Sequence, residues 1–425
     1  MRQLLILFIA IYSFTAEASV NFNDYFYNRT LRIDYFHTGA YHEDSYSIDE
    51  LRSEPFWGGS QVYLIDTMNY GTYLVKVISV PENILIYSRG YCTLFSEWQT
   101  TDEAKLTRKS FSETVVIPYP KKDVRVEFYT RDTKGIFQKK FEYLVKSGSY
   151  FISFEKQMPY PVFDAHISGD PSAKVDIVLL PEGYTELEMG QFITDCQRFA
   201  EQLFSFHPYS EYKDKFNIRA VLAPSPESGT DIPGDSIWRR TLMNSNFYTF
   251  DSERYLMTTD TKHVRDLAAN APYDQIYILA NSPKYGGGAI FNDYSISVNS
   301  NAMAAKIFIH EFGHGFAGLG DEYYTPGSTS YNDFYPLNIE PWEPNLTTMV
   351  DFDRKWKDLL DKKTPVPTPD EQKYYDKPGV FEGGGYVTKG VFRSAHDCLM
   401  ITFKGDKFCP ACERGIRKMI DFYTK

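Results

Sequence analysis

The segment 307–323 constrains this chain most, because two histidines lie four residues apart within it and a glutamate directly follows the first. Ile307, His310 and His314 recur at helical spacing, which predicts a buried helix. Residues four apart share one face of a helix, so both imidazole rings can reach one cation at about 2.0–2.1 Å. Glu311 lies beside them and can take a proton from a zinc-bound water. The segment therefore predicts a zinc site.

A catalytic zinc site needs a third protein ligand. Gly318 and Gly320 follow His314 and can end the helix, because glycine tolerates the positive φ of a tight turn. Such a turn would bring Asp321 to the metal, and its spacing favours it over Glu322. The His-Glu-x-x-His pattern also occurs by chance, with each histidine an ordinary buried side chain. The apolar helix before it and the acidic pair after it favour the metal site.

Composition and the N-terminus limit the class of protein. The chain has 425 residues, 43% of them hydrophobic, enough for two or three cores. Its formal net charge of −11 argues against a nucleic-acid partner. Residues 1–18 have the early positive charge, short apolar run and small-residue end of a signal peptide. No other apolar run has the length of a transmembrane segment, so we expect a secreted or periplasmic protein of undetermined oligomeric state.

Segments of different composition predict two domains. Residues 19–155 contain short alternating strands separated by turn residues, a pattern typical of an antiparallel β-sandwich. Residues 156–172 are interrupted by proline and glycine and are expected to be a linker or lead-in. Residues 173–425 alternate buried strands with helices, which predicts an α/β domain around the metal site. The predicted fold class is therefore mixed, α+β.

A glycine-rich strand precedes the predicted metal helix. Gly286, Gly287 and Gly288 lead into an alternating run that contains Tyr294. We expect this strand at a sheet edge, where an extended peptide substrate can pair with its backbone and the glycines leave room for the approach.

The loop 225–235 is dense in oxygen ligands and turn-forming residues. Calcium is one candidate occupant of such a loop. Its carboxylates lack a regular ligand spacing, however, which favours an acidic surface loop.

Three of the five cysteines, Cys398, Cys409 and Cys412, cluster near the C-terminus. The spacing Cys409-Pro-Ala-Cys412 is that of half a zinc ribbon. The sequence contains no second half, and export permits disulfides. A structural disulfide among these three cysteines is therefore the favoured interpretation, and the odd total leaves at least one thiol unpaired in the monomer.

Several motifs together resemble a known family. They are the segment 310–323, Glu382-Gly-Gly-Gly-Tyr386, Gly390-Val-Phe-Arg393, Cys398-Leu-Met400 and Phe408-Cys-Pro-Ala-Cys412. They resemble the secreted immunoglobulin A peptidase family, zinc metallopeptidases with a metzincin-like catalytic domain that often follows a β-sandwich. The resemblance implies that zinc is held by His310, His314 and Asp321. It also implies Glu311 as the general base and Met400 as the methionine of a Met-turn.

One departure from ordinary metzincins concerns the third ligand. Here Gly318 and Asp321 follow His314 by four and seven residues, whereas the metzincin glycine and third histidine follow by three and six. The turn is one residue longer, and its carboxylate makes the zinc a somewhat weaker Lewis acid.

The predicted function is that of a secreted zinc endopeptidase acting on a protein or glycoprotein, with immunoglobulin A among the candidate substrates. The oxyanion of the tetrahedral intermediate needs a hydrogen-bond donor. We expect Tyr386 in this role, with Tyr323 and Arg393 as alternatives. The competing hypothesis is an extracellular protein that binds glycans or peptides and has a structural or vestigial metal. Glu311 distinguishes the two, because a binding protein has no need of a base beside the metal ligands.

Overall fold

The computed structural model describes residues 20–156, 158–324 and 334–424, so the predicted signal peptide lies outside the described residues. The helices and strands, in chain order, are α1 (Phe22–Tyr25), β1 (Phe26–Ala40), β2 (Glu43–Glu54), β3 (Tyr73–Ser79), β4 (Leu85–Tyr91), α2 (Leu94–Trp98), α3 (Asp102–Leu106), β5 (Lys109–Pro120), β6 (Val124–Arg131), β7 (Phe137–Val145), β8 (Ile152–Ser153), β9 (Val162–His166), β10 (Val175–Glu182), α4 (Met189–Leu203), β11 (Phe216–Val221), α5 (Thr261–Ala268), β12 (Gln275–Ala280), β13 (Gly287–Ala289), β14 (Ser295–Val298), α6 (Ala304–Ala317), β15 (Leu346–Thr347), β16 (Phe381–Gly384), β17 (Val387–Arg393) and α7 (Pro410–Thr424).

The N-terminal region is rich in β-structure, as its alternating sequence predicts. It contains two four-stranded sheets, with strand orders β5-β1-β2-β8 and β4-β3-β6-β7. All pairs are antiparallel except β2 with β8. Alternate residues of both sheets, such as Ile33 and Val126, point into one shared hydrophobic core.

The second region is built on a six-stranded sheet of order β13-β14-β12-β10-β11-β9. The four inner strands are parallel, and β13 and β9 run antiparallel at the two edges. Every residue of β10 is buried, as expected of a central strand covered on both faces. One face packs against α4, α6 and α7, whose aromatic side chains form the larger core. This packing fixes α6 beneath the edge strand β13.

Part of the segment 156–172 belongs to this sheet. Strand β9 pairs antiparallel with β11, from Val162 opposite Val221 to His166 opposite Ile218. The prolines and the glycine that interrupt the segment flank the strand. An edge strand tolerates such neighbours, because only one of its sides needs hydrogen-bond partners.

The two regions pack closely against each other. Leu94, Phe95 and Trp98 of α2 join the core on the second face of the six-stranded sheet. The guanidinium of Arg32 donates to Asp266 at 2.6 Å, and the amide of Cys92 donates to the carbonyl of Phe291 at 3.0 Å. Helix α2 is thereby held against the region that carries the predicted metal site. In the described part of the chain, no helix combines the length and the apolar character needed to cross a membrane.

Candidate metal centre

Helix α6 ends where the glycines predict. Its cap residue Gly318 has φ of +62°, in the left-handed region that residues with a Cβ rarely adopt. The amide of Gly318 donates to the carbonyl of His314 at 3.0 Å, and that of Leu319 donates to Gly313 at 3.2 Å. The chain then reverses and returns Asp321 to the histidine-bearing face of α6.

Three ligand atoms converge at this face. Nε2 of His310 lies 3.1 Å from Nε2 of His314. Oδ1 of Asp321 lies 3.2 Å from the first nitrogen and 3.3 Å from the second. A tetrahedral ion with arms of about 2.0–2.1 Å separates its ligand atoms by about 3.3–3.4 Å. Oδ1 of Asp321 is also buried without a hydrogen-bond partner, which a cation would remedy. The three residues therefore fit one divalent ion.

Both imidazole rings are oriented by backbone carbonyls. Nδ1 of His310 lies 3.1 Å from the carbonyl oxygen of Leu399, and Nδ1 of His314 lies 2.5 Å from that of Leu319. A ring nitrogen that donates to a carbonyl carries the proton, so each Nε2 presents its lone pair to the cluster. This is the tautomer that a metal-binding histidine needs.

The turn 383–386 holds Asp321 in place. The hydroxyl of Tyr386 donates to Oδ2 of Asp321 at 2.6 Å, and the amide of Gly385 donates to its carbonyl at 2.8 Å. The structure thus directs the Tyr386 hydroxyl towards the third candidate ligand. The alternative Arg393 donates to the carbonyl of Glu382 at 3.0 Å and is buried. The Tyr386 contact is directed at the carboxylate of Asp321, and the Arg393 contact at the backbone of the turn.

The pKa values of His314 and Asp321 reflect their close pairing. Burial opposes protonation of His314, but Asp321 outweighs this effect and raises the pKa of His314 to about 9. Burial likewise opposes ionisation of Asp321, but His314 and His310 hold its pKa well below the usual range. Because metal ligands must be deprotonated, an ion held by these three residues would exclude a proton from the Nε2 atoms.

Glu311 belongs to α6, and its carboxylate faces the edge strand β13. It is buried, and burial raises the pKa of its carboxyl, an effect that His310 and His314 reduce. A Cβ added at Gly287 would lie 3.1 Å from Oε1 of Glu311, so the absence of a side chain there makes room for the carboxylate. The predicted base is therefore beside the ligand histidines and below β13.

Met400 lies under the same helix, where the resemblance places a Met-turn. It is fully buried, and its sulfur would lie 3.4 Å from a Cβ added at Gly313, between the two histidines in sequence. Its carbonyl accepts the amide of Glu322 at 2.9 Å. The methionine segment thus contacts both α6 and the turn that carries Asp321.

The glycine-rich strand is at a sheet edge, as expected, but its outer side is partly occupied. The carbonyl of Arg254 accepts the amide of Gly287 at 3.2 Å, and the amide of Leu256 donates to the Gly287 carbonyl at 3.4 Å. Side chains at Gly286 and Gly288 would collide with Phe247 and with Met257 and Tyr255, respectively. These two glycines accommodate the chain's own 247–257 segment, so the expectation that they leave room for substrate is wrong.

Tyr294, the other residue expected at this edge, is buried. It is only 2% exposed, its hydroxyl donates to the carbonyl of Thr258 at 2.5 Å, and the same hydroxyl accepts the Thr258 amide at 3.1 Å. The side chain thus points into the protein and satisfies a buried stretch of backbone.

The described residues bring three or more potential metal ligands together at two places: His310 with His314 and Asp321, and Glu322 with Cys398, Cys409 and Cys412. The loop 225–235 is not among them. Asp231 and Glu227 accept the amides of Arg239 and Arg240 instead, at 2.5 and 2.7 Å, which does not support calcium.

The predicted disulfide is not formed. The Sγ atoms of Cys398 and Cys412 lie 3.8 Å apart, far beyond the S–S bond of about 2.05 Å, and all five cysteines are free thiols. A fourth residue joins these thiols: Oε1 of Glu322 lies 3.3 Å from Sγ of Cys409 and 3.2 Å from Sγ of Cys412. The sequence alone suggests Glu322 only as a competitor of Asp321.

Several residues near the site have no recognisable pattern in the sequence, because they lie far from the motif along the chain. Arg254 donates to the hydroxyl of Tyr323 at 2.8 Å, and the Tyr323 ring meets that of Tyr386 edge-on at 5.3 Å. Glu97 of α2 accepts a hydrogen bond from Tyr255, and burial raises the pKa of Glu97 to about 7. No local pattern marks Arg254 or Glu97.

The amide of Asn345 fastens the turn that carries the acidic pair. Its Oδ1 accepts the amide of Gly320 at 2.8 Å, and its Nδ2 donates to the Gly320 carbonyl at 2.8 Å and to Oε1 of Glu322 at 2.9 Å. Asn345 is fully buried. Its place in a long proline-rich segment gave no signal of this role.

Comparison with known proteins agrees with this geometry. A family model described as IgA Peptidase M64 matches residues 164–378 and 370–420, and a second model, Peptidase M64 N-terminus, matches residues 21–142. The chain belongs to the IgA peptidase M64 family. No curated protein matches it. As a member of the M64 family the protein is a metallopeptidase, a hydrolase whose substrates are proteins, and its metal has a fitting site at His310, His314 and Asp321.

Proposed function

We propose that this M64 peptidase is a secreted or periplasmic zinc endopeptidase that cleaves peptide bonds within a protein or glycoprotein. Its export would depend on removal of residues 1–18. The observation that carries the proposal is the triangle formed by His310, His314 and Asp321, with edges of 3.1, 3.2 and 3.3 Å, and with Glu311 on the same helix. Two nitrogens and one carboxylate oxygen are the ligands of many catalytic zinc sites.

Zinc held by these three residues would supply Lewis-acid chemistry, polarising a carbonyl group and acidifying a water molecule. The chain's own residues do the rest. Glu311 accepts a proton from the attacking water and passes it to the amine that leaves. The carbonyls of Leu399 and Leu319 keep the Nδ1 protons in place, and Tyr386 orients Asp321.

We assign stabilisation of the oxyanion to Tyr323 rather than to Tyr386. The hydroxyls of both tyrosines interact with Asp321, Tyr386 at 2.6 Å, but that of Tyr323 also accepts a hydrogen bond from the guanidinium of Arg254 at 2.8 Å. A hydroxyl that accepts from a cation is a stronger donor in turn. Burial raises the pKa of Tyr323, which keeps its proton available for donation.

The fold proposal is a metzincin-like catalytic domain behind an N-terminal β-sandwich. Support comes from Met400 beneath α6, from the edge strand β13 above it, and from the core shared by the two N-terminal sheets. Helix α2 extends from the N-terminal region to the site through Glu97. We infer that the N-terminal region supports the site as well as positioning the enzyme or its substrate.

The test is an unbiased peptide-library digest with and without a chelator, followed by the same digest with Glu311→Gln. The wild type should give chelator-sensitive internal cuts. The variant should keep its zinc and its melting temperature but lose turnover by at least about 100-fold. Undiminished turnover in Glu311→Gln would sink the mechanism, and the absence of chelator-sensitive cuts in the wild type would favour the peptide- or glycan-binding alternative.

The family description makes immunoglobulin A the first substrate to test. Purified immunoglobulin A and a panel of unrelated secreted glycoproteins would be incubated with the enzyme, with Glu311→Gln as the inactive control. Cleavage of immunoglobulin A and of no other protein in the panel would establish it as the substrate. Cleavage of other glycoproteins would mean that the cleavage sequence found by the library digest, rather than immunoglobulin A, defines the specificity.

A further inference from the structure

A second group of potential ligands lies directly behind the His310 site. Glu322, Cys398, Cys409 and Cys412 are all buried, and their ligand atoms lie within 4.8 Å of one another. Cys409 and Cys412 come from the start of α7, Cys398 from the methionine segment, and Glu322 from the turn after α6. Three separate parts of the chain therefore meet at one point.

Three of the distances between these atoms are close to those of tetrahedral coordination. A zinc ion with Zn–S arms of about 2.3 Å separates two sulfurs by about 3.8 Å and a sulfur from a carboxylate oxygen by about 3.5 Å. The Sγ atoms of Cys398 and Cys412 are 3.8 Å apart. Oε1 of Glu322 lies 3.3 Å from Sγ of Cys409 and 3.2 Å from Sγ of Cys412.

Hydrogen-bond donors orient two of the three sulfurs. The amides of Cys409 and Met400 point at Sγ of Cys398, at 3.2 and 3.4 Å. The Cys412 amide and the Ser394 hydroxyl point at Sγ of Cys409, at 3.4 and 3.0 Å. Such partners around a metal site hold each ligand in its orientation.

Within the part of the chain that the structure describes, the Glu322 carboxylate is buried at the cluster without a cationic side chain to pair with it. Glu322 is 0% exposed, and its Oε2 is buried without a hydrogen-bond partner. Its Oε1 accepts a hydrogen bond from Asn345. A buried carboxylate is costly unless it is paired or coordinates a metal, and no Lys or Arg forms an ion pair with Glu322 among the described residues.

We propose that Glu322, Cys398, Cys409 and Cys412 bind a second zinc ion, with a structural role. All four ligands come from the protein, so no position is open for water or substrate, as is typical of structural zinc. Soft thiolates with one carboxylate suit zinc better than magnesium or calcium, which take oxygen ligands. A disulfide between two of the thiols would leave the third thiol and the Glu322 carboxylate buried without a cation.

This second zinc would position the first metal site. Glu322 directly follows Asp321, so one dipeptide supplies a ligand to each ion. Cys398 directly precedes Leu399, whose carbonyl accepts from Nδ1 of His310 at 3.1 Å. Outer partners of this kind orient metal ligands and affect metal affinity by about 10–100-fold. The structural ion thus fixes both the third ligand and the orientation of the first histidine.

Metal analysis of the purified protein is the first test. We expect two zinc ions per wild-type chain, and one ion in the double variant His310→Ala/His314→Ala. Cys412→Ala should lose the second ion and melt at a lower temperature. Cys196→Ala is the matched control, because Cys196 is also a fully buried helical cysteine but lies in α4, outside the cluster, and this variant should keep both ions.

Two measurements keep the test decisive if Cys412→Ala fails to fold. Cobalt(II) loaded into the His310→Ala/His314→Ala protein should give a thiolate-to-cobalt charge-transfer band, which the His310 site cannot produce because it has no sulfur. Thiol titration of the wild type, denatured in chelator, should find all five cysteines free.

A wild type with one zinc ion that the double histidine variant loses would overturn the proposal. So would a missing charge-transfer band, iron in place of the second zinc, or three free thiols in place of five, which means one disulfide. None of these readouts depends on peptidase activity, so their failure is distinguishable from failure of the proposed function.

Discussion

The hydroxyl of Tyr386 donates to Oδ2 of Asp321 at 2.6 Å, on the opposite carboxylate oxygen from the one that faces the two histidines. This contact spans 65 residues of sequence and ties the turn 383–386 to the candidate metal site. We propose on this contact that Tyr386 positions the third candidate ligand. The distinction between positioning and oxyanion binding can be measured.

Tyr386→Phe should weaken zinc binding by about 10- to 100-fold, because the variant lacks the hydrogen bond that orients Asp321. Once zinc is saturating, its kcat should return to within a few-fold of the wild-type value. Competition with a chelator gives the affinity, and peptide turnover at increasing zinc gives kcat. Tyr150→Phe, at an 88% exposed tyrosine, is the control and should change neither value.

Tyr323→Phe should show the reverse behaviour. The zinc affinity should change little, and kcat should fall by about 100-fold at saturating zinc, because one donor to the oxyanion is gone. If Tyr386→Phe has the zinc-independent loss and Tyr323→Phe does not, the oxyanion role belongs to Tyr386, as the sequence suggested.

Asp321→Ala should remove the ion from the His310 site while leaving the second group of ligands intact. The site then has only two protein ligands, and two histidines alone do not complete a catalytic zinc site. Zinc content measured after dialysis should fall by one equivalent relative to the wild type. Full zinc occupancy in this variant would assign the third-ligand role to another residue.

The sequence predicted the part of the site that is local. His310, His314, Gly318 and Asp321 lie within twelve residues, so helix periodicity and glycine conformation suffice to bring them together. The alternation of strands and helices after residue 173 likewise predicted an α/β domain, and β10, β11 and β12 lie in its central sheet. In both cases the spacing of residues within a few turns of helix or one strand determines which side chains share a face. Strand β9 of the same sheet comes from the segment expected to be a linker.

The rest depends on contacts that sequence spacing does not encode. Glu322 lies 87 and 90 residues from Cys409 and Cys412, so the sequence shows the three cysteines as a cluster and favours a disulfide among them, but does not show that a carboxylate joins them. Arg254 is 69 residues from its partner Tyr323. The glycine-rich strand was correctly expected at an edge, but its pattern could not reveal the segment that covers Gly287.

Gly287→Ala should lower kcat by roughly 10- to 100-fold with little change in fold, because a small displacement of a catalytic group has effects of this size. The added Cβ would lie 3.0 Å from the carbonyl oxygen of Ile296, 3.0 Å from Cγ2 of Ile307 and 3.1 Å from Oε1 of Glu311. The backbone carbonyl belongs to the sheet, so the two side chains should move, the Glu311 carboxylate among them. Gly148→Ala is the control, since no atom lies within 4 Å of a Cβ at that position. Equal kcat values for the two variants would show that Glu311 is not confined by β13.

His37 should make the stability of the N-terminal region depend on pH. Its fully buried ring lies between those of Phe95 and Tyr46, with Nδ1 3.0 Å from Glu113. Burial opposes its charge, but Glu113 and Asp44 outweigh burial and raise its pKa above the ordinary value of about 6.5. The folded state therefore binds the proton more tightly than the unfolded state. The resulting stability is fully present below about pH 6.5 and is lost as the pH rises through the folded-state pKa.

His37→Gln should consequently destabilise the protein more at about pH 6 than at about pH 9. The difference amounts to about 1.4 kcal/mol for each unit between the folded and unfolded pKa values of His37. Melting temperatures of wild type and variant, measured across this range, give the comparison. The exposed His42 provides the control, and His42→Gln should shift the melting temperature equally little at every pH. A destabilisation by His37→Gln that is constant with pH would mean that His37 is neutral in the folded protein and contributes only by packing.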